Sequence, residues 1–318
     1  VTEPGSDREQ LTSLARTCSG IGDAIPTVLT MTVVPILGAG SSMADYRIGF
    51  KWWALIIAVV FVISELVCVV CVPERPVACD EKPGKISDMF KALFKNDQAM
   101  TVVVSIILVY TSLNICGNLV LYFFRFDVGN EGAYSIFAAV AFAAQVLVMM
   151  VIPLLRKRFS KSQLFISGFV IQIAGFAVIL IMAFAKLYTP QSWYILCLPG
   201  ILIYLGYGML NVIMTIFLSD SVDYGEVMNG TREESVIFSM QTFTVKLASG
   251  VAVFLAGLVV DWIHLDTAAA VQTQDTLDAL RMWMTIPSVI LLIVGIFVFK
   301  RFYKLDDTRM EEIKSKLN

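Results

Sequence analysis

The sequence predicts an all-α protein that crosses a membrane several times. Hydrophobic residues make up 57% of the 318 positions, charged residues only 16%, and the mean hydropathy is +0.76. A soluble domain of this size usually carries more charge. The apolar residues also gather into runs of about 20 residues or more, which is the length that a helix needs to cross a bilayer.

The same composition excludes several classes of function. A net charge of −2 provides no basic surface for a nucleic acid. The only histidine, His264, rules out a bis-histidine haem. The Cys68-x-x-Cys71 pair lies inside an apolar run, where cysteine is an ordinary core residue. No nucleophile with its base, metal-ligand cluster or phosphate loop stands out, so we expect no resident cofactor or metal, and a membrane enzyme is the weaker interpretation.

Eight apolar segments predict eight membrane helices. They cover about residues 11–37, 50–72, 98–124, 134–155, 162–186, 192–219, 235–263 and 281–303. A polar stretch, 74–97, separates the second helix from the third. Within it, apolar residues recur at helical spacing from Ile86 to Phe94, which predicts a short amphipathic helix on the membrane surface. We interpret this stretch as the linker between two helical bundles.

The first two helices carry charges that a lipid-facing helix would avoid. Arg16 and Asp23 lie on one stripe of the first helix, with Ser19 and Thr27 at the same spacing. A polar stripe within a membrane faces protein or water. The second helix contains Glu65, which is close enough in depth to Arg16 for an ion pair between the two helices. Alternatively, Glu65 faces a water-filled crevice.

Lysine and arginine residues predict which way the chain crosses the membrane. Because each helix crosses the membrane, the segments that join the helices lie on alternating sides. Eighteen of the 24 lysines and arginines fall on one side, and five fall on the other. The more basic side is expected to be cytoplasmic. We therefore expect a multi-pass protein of the plasma (inner) membrane with both chain ends in the cytoplasm. All five tryptophans then fall at the outer interface, where aromatic residues are enriched.

The most hydrophilic segment between two helices runs from Asp220 to Ser235. Its acidic residues Asp220, Asp223 and Glu226 precede Arg232. This composition between two apolar runs predicts a solvent-side loop, which the charge distribution places in the cytoplasm. Opposite charges where a cavity closes can hold one conformation and must separate when the cavity opens. We interpret these four charged residues as a cytoplasmic gate.

Polar side chains recur at helical spacing on three further helices and meet near the middle of the bilayer. The third helix carries Asn114 and Asn118, the sixth carries Asn211, and the seventh carries Gln241, Thr242 and Lys246. Lys246 lies roughly 16 Å deep, where a lysine costs on the order of 3 kcal/mol. One such stripe alone is most often a contact between helices. Several at one depth favour a hydrated cavity that binds a hydroxyl-rich solute.

Three motifs carry a family resemblance. Asp220-x-Val-Asp-Tyr-Gly-Glu226, Arg232-x-Glu-Ser235 and Gln241-Thr-x-x-Val-Lys246, with the spacings between them, closely resemble the glycoside-pentoside-hexuronide:cation symporters, whose archetype is the melibiose carrier. The lead Asp7-Arg-Glu-Gln-Leu11 and the closing Arg301-Phe-Tyr-Lys-Leu305 look like that family as well. The resemblance covers essentially the whole chain.

The resemblance implies a major facilitator fold, in which twelve helices form two bundles of six and this chain supplies the last eight. It implies that 1–73 holds the last two helices of the first bundle, 74–97 the cytoplasmic linker, 98–303 the second bundle and 304–318 a cytoplasmic tail. The acids that bind the coupling cation, Na⁺ or H⁺, are then expected mostly in the four helices that precede this chain.

The resemblance also implies roles for single residues. Arg16, Thr242 and Lys246 match family positions that line the sugar cavity, and Asn114 and Asn118 match a polar helix near it. Asn211 departs from the pattern, since the melibiose carrier has a tryptophan there, and Asp23 replaces an apolar residue. The implied function is cation-coupled transport of a sugar or glycoside by alternating access, with the lipid bilayer as the other partner. A membrane enzyme or a passive pore is the alternative.

Overall fold

The computed structural model describes residues 6–40, 43–71, 94–230, 234–267, 269 and 271–317. Within these ranges the chain forms nine α-helices and no strand, which confirms the predicted all-α class. The helices are α1 (Ser6–Gly38), α2 (Met43–Cys71), α3 (Asp97–Tyr122), α4 (Ala133–Leu155), α5 (Lys161–Phe184), α6 (Cys197–Asn229), α7 (Glu234–Trp262), α8 (Gln274–Phe302) and α9 (Asp307–Leu317). A π-helical segment, Phe123–Asp127, extends α3, and a 3-10 turn, Trp193–Leu196, precedes α6.

Seven of the described helices, α2 to α8, are long and apolar enough to cross a membrane. Helix α1 has 33 residues but does not meet the same criterion. Its sequence is interrupted by the charged residues Asp7, Glu9, Arg16 and Asp23 and by several hydroxyl side chains. Seven of the eight predicted spans are therefore found, and a membrane span in α1 remains a prediction.

Helix α6 differs most from its prediction. The sequence predicted a helix end near residue 219 and a solvent-side loop from Asp220, but α6 continues to Asn229. Asp220 and Asp223 are only 5% and 0% exposed. The loop prediction was wrong here because hydropathy assigns an acid to solvent, whereas a buried acid with an ionic partner can remain inside. Gly230 then ends the helix with a φ of 72°, which glycine adopts readily.

The helices group into two compact units, which we describe separately. The main unit comprises Val1–Ile21 with Ile86–Asn318, and the small unit comprises Gly22–Lys85. This division falls inside α1, whereas the resemblance implied a division at the 74–97 linker. Most of that linker, including nearly all of its predicted amphipathic helix, lies outside the described residues. The assignment of the helices to two functional bundles remains a prediction.

Helix α6 is the central helix of the main unit, and 78% of its most apolar stretch is buried. It packs against α3, α4 and α5. A methyl group on Gly206 would lie 2.6 Å from the carbonyl oxygen of Gly168 in α5, and one on Gly208 would lie 2.9 Å from the carbonyl oxygen of Gln145 in α4. Because the backbones approach this closely, the polar side chains of α6 are held at fixed positions.

Helix α3 packs against α7 and α8 on another side of the main unit. Three alanines of α7, Ala248, Ala252 and Ala256, are 5% exposed or less. Their four-residue spacing places them on one face of the helix. Small side chains allow two helix backbones to approach. The packed alanine face fixes the rotation of α7 about its axis, and hence the direction of its polar residues.

Two caps position the helix ends near Lys161. The Ser160 hydroxyl accepts a hydrogen bond from the Gln163 N–H, and the Gln163 side chain accepts one from the Ser160 N–H. Lys161 is thereby held in the first turn of α5. The Asn96 side chain caps α3 and also donates from Nδ2 to the carbonyl oxygen of Ser221 in α6. We call this end of the main unit the Lys161 end, and the opposite end the Asp127 end.

In the small unit, the second half of α1 lies against the first half of α2. Trp53 Nε1 donates to the Thr30 hydroxyl at 2.8 Å. A methyl group on Gly49 would overlap the backbone of Val34, so the two helices touch there. The most apolar stretch of α2 has no buried residue. The exposed side chains of this stretch are mostly Leu, Ile, Val and Phe, which suits contact with lipid or with further helices.

Candidate functional site

A row of polar side chains joins α1, α6 and α7 through Thr215. Arg16 Nε donates to the Thr215 hydroxyl at 3.0 Å, and Gln241 Nε2 donates to the same oxygen at 3.2 Å. Thr215 in turn donates to the carbonyl oxygen of Asn211. Thr215 and Gln241 are 7% and 6% exposed. A single hydroxyl thus holds a guanidinium and an amide together in the interior, where such contacts are stronger than in water.

The row continues from α6 to α3 through two tyrosines. Asn211 Nδ2 lies 2.6 Å from the Tyr110 hydroxyl and 3.4 Å from the Tyr207 hydroxyl, and it donates to both. The two rings meet edge to face, with centroids 5.5 Å apart. Each phenol accepts a hydrogen bond from Asn211, and a phenol can also donate its own proton. We call the six residues Arg16, Tyr110, Tyr207, Asn211, Thr215 and Gln241 the polar row.

Asn114 and Asn118 lie on α3 near this row but bond within their own helix. Asn114 Nδ2 donates to the carbonyl oxygen of Tyr110, and Asn118 Nδ2 donates to that of Asn114, both at 2.7 Å. Both side chains are half-buried. Their amide donors are thus used by the backbone, and a ligand would meet their amide oxygens. Their predicted role at the substrate site is not decided by these contacts.

Thr242 and Lys246 follow Gln241 on α7, but both are exposed. The Thr242 hydroxyl donates to the carbonyl oxygen of Phe238 in its own helix, at 3.5 Å. Within the described part of the chain, Lys246 makes no hydrogen bond or ion pair. The structure therefore brings Arg16, Asn211 and Gln241 together among the predicted residues, and it leaves Thr242 and Lys246 on an open face of the same helix.

A network of paired charges lies at the Lys161 end. The Lys161 Nζ lies 2.6 Å from Asp220 Oδ2, and the two side chains are only 8% and 7% exposed. Arg156 binds Glu9 through two nitrogens, at 3.0 and 3.2 Å, and reaches Asp307 at 3.3 Å. Lys161 also approaches Glu9 and Asp307, at 3.9 and 3.8 Å. The network therefore connects α1, α6 and α9 through the two basic residues that flank the α4–α5 turn.

The electrostatics of this network favour pairing. Burial lowers the pKa of Arg156, but Glu9 and Asp307 raise it by more, so its pKa lies above the ordinary value. Charges that are buried and paired are costly to separate, since each would remain without its partner. One sequence pattern indicated part of this network, because residues 156–161 form a basic run between two apolar helices. That run contributed only to the predicted orientation, and its ionic partners were missed.

The remaining predicted gate residues are placed as follows. Asp223 is fully buried in α6, and Glu226 is half-buried one turn later. Both make contacts within the protein. Arg232 lies outside the described residues. Asp220 pairs with Lys161 of α5, a contact that the sequence did not predict, and its role in a gate remains a prediction. The proposed latch of Asp223 and Glu226 with Arg232 remains a prediction.

Asp23 and Glu65 belong to the small unit, and both are exposed there. Asp23 makes a contact within the protein. Arg16, in the main unit, uses its Nε for Thr215. The predicted pairing of Arg16 with Glu65, and any coupling role of Asp23, remain predictions.

A second buried ion pair lies at the Asp127 end. Arg281 of α8 binds Asp127 through two nitrogens, at 2.5 and 2.8 Å, and both side chains are 3% exposed. The Tyr188 hydroxyl donates to Asp127 Oδ2 at 2.6 Å. Burial raises the pKa of Tyr188, and the adjacent carboxylate raises it further, so the phenol stays protonated. The π-helical segment that ends α3 positions Asp127 for these contacts, which fasten α3 to α8.

An all-helical chain with seven apolar spans, an internal polar row and paired charges at each end is a polytopic membrane protein built like a transporter. Residues 1–307 match the profile of the MFS/sugar transport protein family. The chain belongs to this family of major facilitator sugar transporters, which are not enzymes. The family resemblance that the motifs indicated is thereby confirmed. Among the described residues, no three His, Cys, Asp or Glu side chains form a group that could hold a metal ion.

Several named relatives match the chain along most of its length. The raffinose carrier protein of Pediococcus pentosaceus is 24% identical over 100% of this chain and 49% of its own length. The isoprimeverose transporter of Lactiplantibacillus pentosus is 24% identical over 96% of this chain and 62% of its own. The lactose permease of Leuconostoc lactis is 24% identical over 81% and 40%. The chain thus spans between 40% and 62% of the length of these relatives.

Proposed function

We propose that this chain belongs to a symporter that carries a sugar or glycoside together with a cation, Na⁺ or H⁺, across the plasma membrane by alternating access. The observation that carries the proposal is the polar row, which joins four helices of a sugar-transporter family member around one buried threonine. Buried polar groups in a membrane protein are costly and usually serve transport or helix contact. Here they include a guanidinium, two amides and two phenols in one connected set.

The chemistry of the polar row suits a sugar. Sugar hydroxyls both donate and accept hydrogen bonds, and the row offers both kinds of partner, while tyrosine rings provide apolar surface for the C–H faces of the ring. The row contains one cation, Arg16, and no acid, so it suits neutral or acidic sugars better than amino sugars. The names of the relatives include raffinose, isoprimeverose and lactose, and a putative sulfoquinovose importer of Escherichia coli is 23% identical. These four sugars form the panel for testing transport.

The charge network gives the proposed transporter one of its gates. Arg156 and Lys161 attach the α4–α5 turn to α1 and α6, so the network holds the Lys161 end closed. Ion pairs can separate and form again without any chemical change, as alternating access requires. We place the Lys161 end in the cytoplasm, because the basic segments 156–161 and 300–316 lie on this side.

The test is uptake by the whole protein in a host that lacks its own sugar carriers. Cells are given each radiolabelled sugar of the panel, with the Na⁺ or the proton gradient intact and then collapsed by a selective ionophore. A symporter accumulates one sugar above the outside concentration and loses this accumulation with one of the two gradients. Uptake that stops at equal concentrations in every condition would instead identify a passive carrier or pore. A sugar recovered in chemically altered form inside washed vesicles would support an enzyme.

A further inference from the structure

A buried amide next to the polar row has an acceptor without a partner. Gln145 lies in the middle of α4 and is 5% exposed, and its Oε1 accepts no hydrogen bond. Such an atom loses its hydrogen bonds to water when the protein folds and gains no partner in return, which is destabilising. A buried polar atom of this kind therefore calls for an explanation, and a ligand that donates a proton to it is one.

Gln145 is located where α1, α4 and α6 meet. A methyl group on Gly20 of α1 would lie 3.9 Å from Gln145 Nε2, and one on Gly208 of α6 would lie 3.3 Å from Gln145 Cγ. Both neighbours are glycines, so no side chain stands between the glutamine and the two helices there. The amide group is thus surrounded by the helices that carry most of the polar row.

The helical geometry places Gln145 on the same side of these helices as the polar row. At about 100° per residue, Gly208 and Asn211 are roughly 60° apart on α6, and Gly20 and Arg16 are roughly 40° apart on α1. Each pair is separated by about 6 Å or less along its helix axis. The two glycines that Gln145 adjoins therefore lie within about one helical turn of Arg16 and of Asn211, on the same side of α1 and of α6.

A second buried glutamine provides the contrast. Gln172 of α5 is 0% exposed, and neither its Oε1 nor its Nε2 has a hydrogen-bond partner. A methyl group on Gly206 would lie 2.8 Å from Gln172 Cβ. Gly206 and Asn211 are roughly 140° apart on α6, so Gln172 contacts a different side of that helix. Both glutamines are unsatisfied, but only Gln145 adjoins the polar row.

From this arrangement we propose that Gln145 is a further sugar-binding residue, whose Oε1 accepts a hydrogen bond from a hydroxyl of the transported sugar and helps select among sugars. The inference rests on the proposed function. With Gln145, α4 also contributes a residue to the proposed sugar site, to which α1, α3, α6 and α7 already contribute. A sugar hydroxyl would donate the hydrogen bond that Gln145 Oε1 does not receive from the protein.

The experiment compares substitutions at the two glutamines in the whole protein. Initial uptake rates are measured for raffinose, lactose, isoprimeverose and sulfoquinovose at several concentrations, and the amount of protein in the membrane is determined by immunoblot. Gln145→Met keeps the size of the side chain but removes the acceptor. We expect the half-saturating sugar concentration to rise about three- to tenfold, with the maximal rate per molecule changed less. We expect Gln145→Glu, which retains an acceptor, to recover part of this loss.

Gln172→Met is the matched control, and we expect its half-saturating concentration to equal that of the wild type. The inference is wrong if the wild type transports a sugar of the panel and Gln145→Met has an unchanged half-saturating concentration. It is also wrong if Gln145→Met and Gln172→Met behave alike, or if Gln145→Met acts only through the amount of protein in the membrane. If the wild type transports none of the four sugars, the proposed function fails, and the inference fails with it.

Discussion

Replacing Lys161 with methionine leaves the Asp220 carboxylate in the interior without its nearest cation. The two groups are 2.6 Å apart, and their side chains are 8% and 7% exposed, so water replaces little of the lost interaction. Removal of one partner of a buried ion pair costs about 3–5 kcal/mol. We expect Lys161→Met to unfold at a clearly lower temperature than the wild type. We expect Asp220→Asn to lower the unfolding temperature less, because Lys161 still has Glu9 at 3.9 Å and Asp307 at 3.8 Å.

The assay is thermal unfolding of the purified whole protein, followed with a dye that fluoresces on reaction with thiols. Cys116 reports the unfolding of the bundle, because it is 7% exposed in the folded state. The double variant Lys161→Met with Asp220→Asn removes both charges and should be less destabilised than the two single effects added together. A difference of this sign measures the coupling between the two residues.

An exposed ion pair in the tail helix provides the control. Arg309 and Glu312 are 2.7 Å apart, but their side chains are 57% and 56% exposed. Exposed pairs contribute little to stability, so Arg309→Ala should unfold within a degree or two of the wild type. The explanation would be refuted if Lys161→Met matched this control. It would also be refuted if the double variant were as unstable as the sum of the single variants.

Three further predictions follow from the placement of single residues. Lys246→Leu should insert normally but fail to accumulate sugar, because an exposed cation on α7, one turn from Thr242, is available to a ligand; wild-type accumulation would exclude this role. Arg281→Met should destabilise the protein about as strongly as Lys161→Met in the same thermal assay, because the substitution leaves the buried Asp127 carboxylate without its cation; an unchanged unfolding temperature would contradict this. Cys18, which is exposed, should react with a thiol reagent faster than buried Cys116, and equal rates measured by mass spectrometry would show that Cys18 is covered.

Much of the fold could be predicted from the sequence, because long apolar runs in a membrane protein form helices whatever their tertiary contacts. The end of α6 could not be predicted in this way. A hydropathy average has no information about pairing, so it treated Asp220 as the start of a loop, although Lys161 compensates the charge of that acid inside the protein. The same reasoning explains why the start of α8 was placed at 281, since the polar turn that begins at Gln274 is helical but not apolar.

The candidate site was predicted in part. Helical spacing indicated that Asn211 and Gln241 share a depth with other polar residues, and the structure joins both of them to the polar row. Spacing alone does not show which neighbour covers a helix face, so it could not distinguish buried Gln241 from exposed Thr242, the next residue along. Gln145 has no polar neighbours at helical spacing on α4, so only its contacts with α1 and α6 identify it as a candidate site residue.

The most direct test of the polar row as the sugar-binding site is equilibrium binding of the transported sugar to purified whole protein with the Thr215→Val substitution. This change removes the hydroxyl that joins Arg16 to Gln241 and keeps the shape of the side chain. Thr285→Val is the control, since Thr285 is equally buried and bonds only within α8. We predict binding about tenfold weaker for Thr215→Val and unchanged for Thr285→Val. Equal affinity in the wild type and Thr215→Val would contradict the assignment of the site.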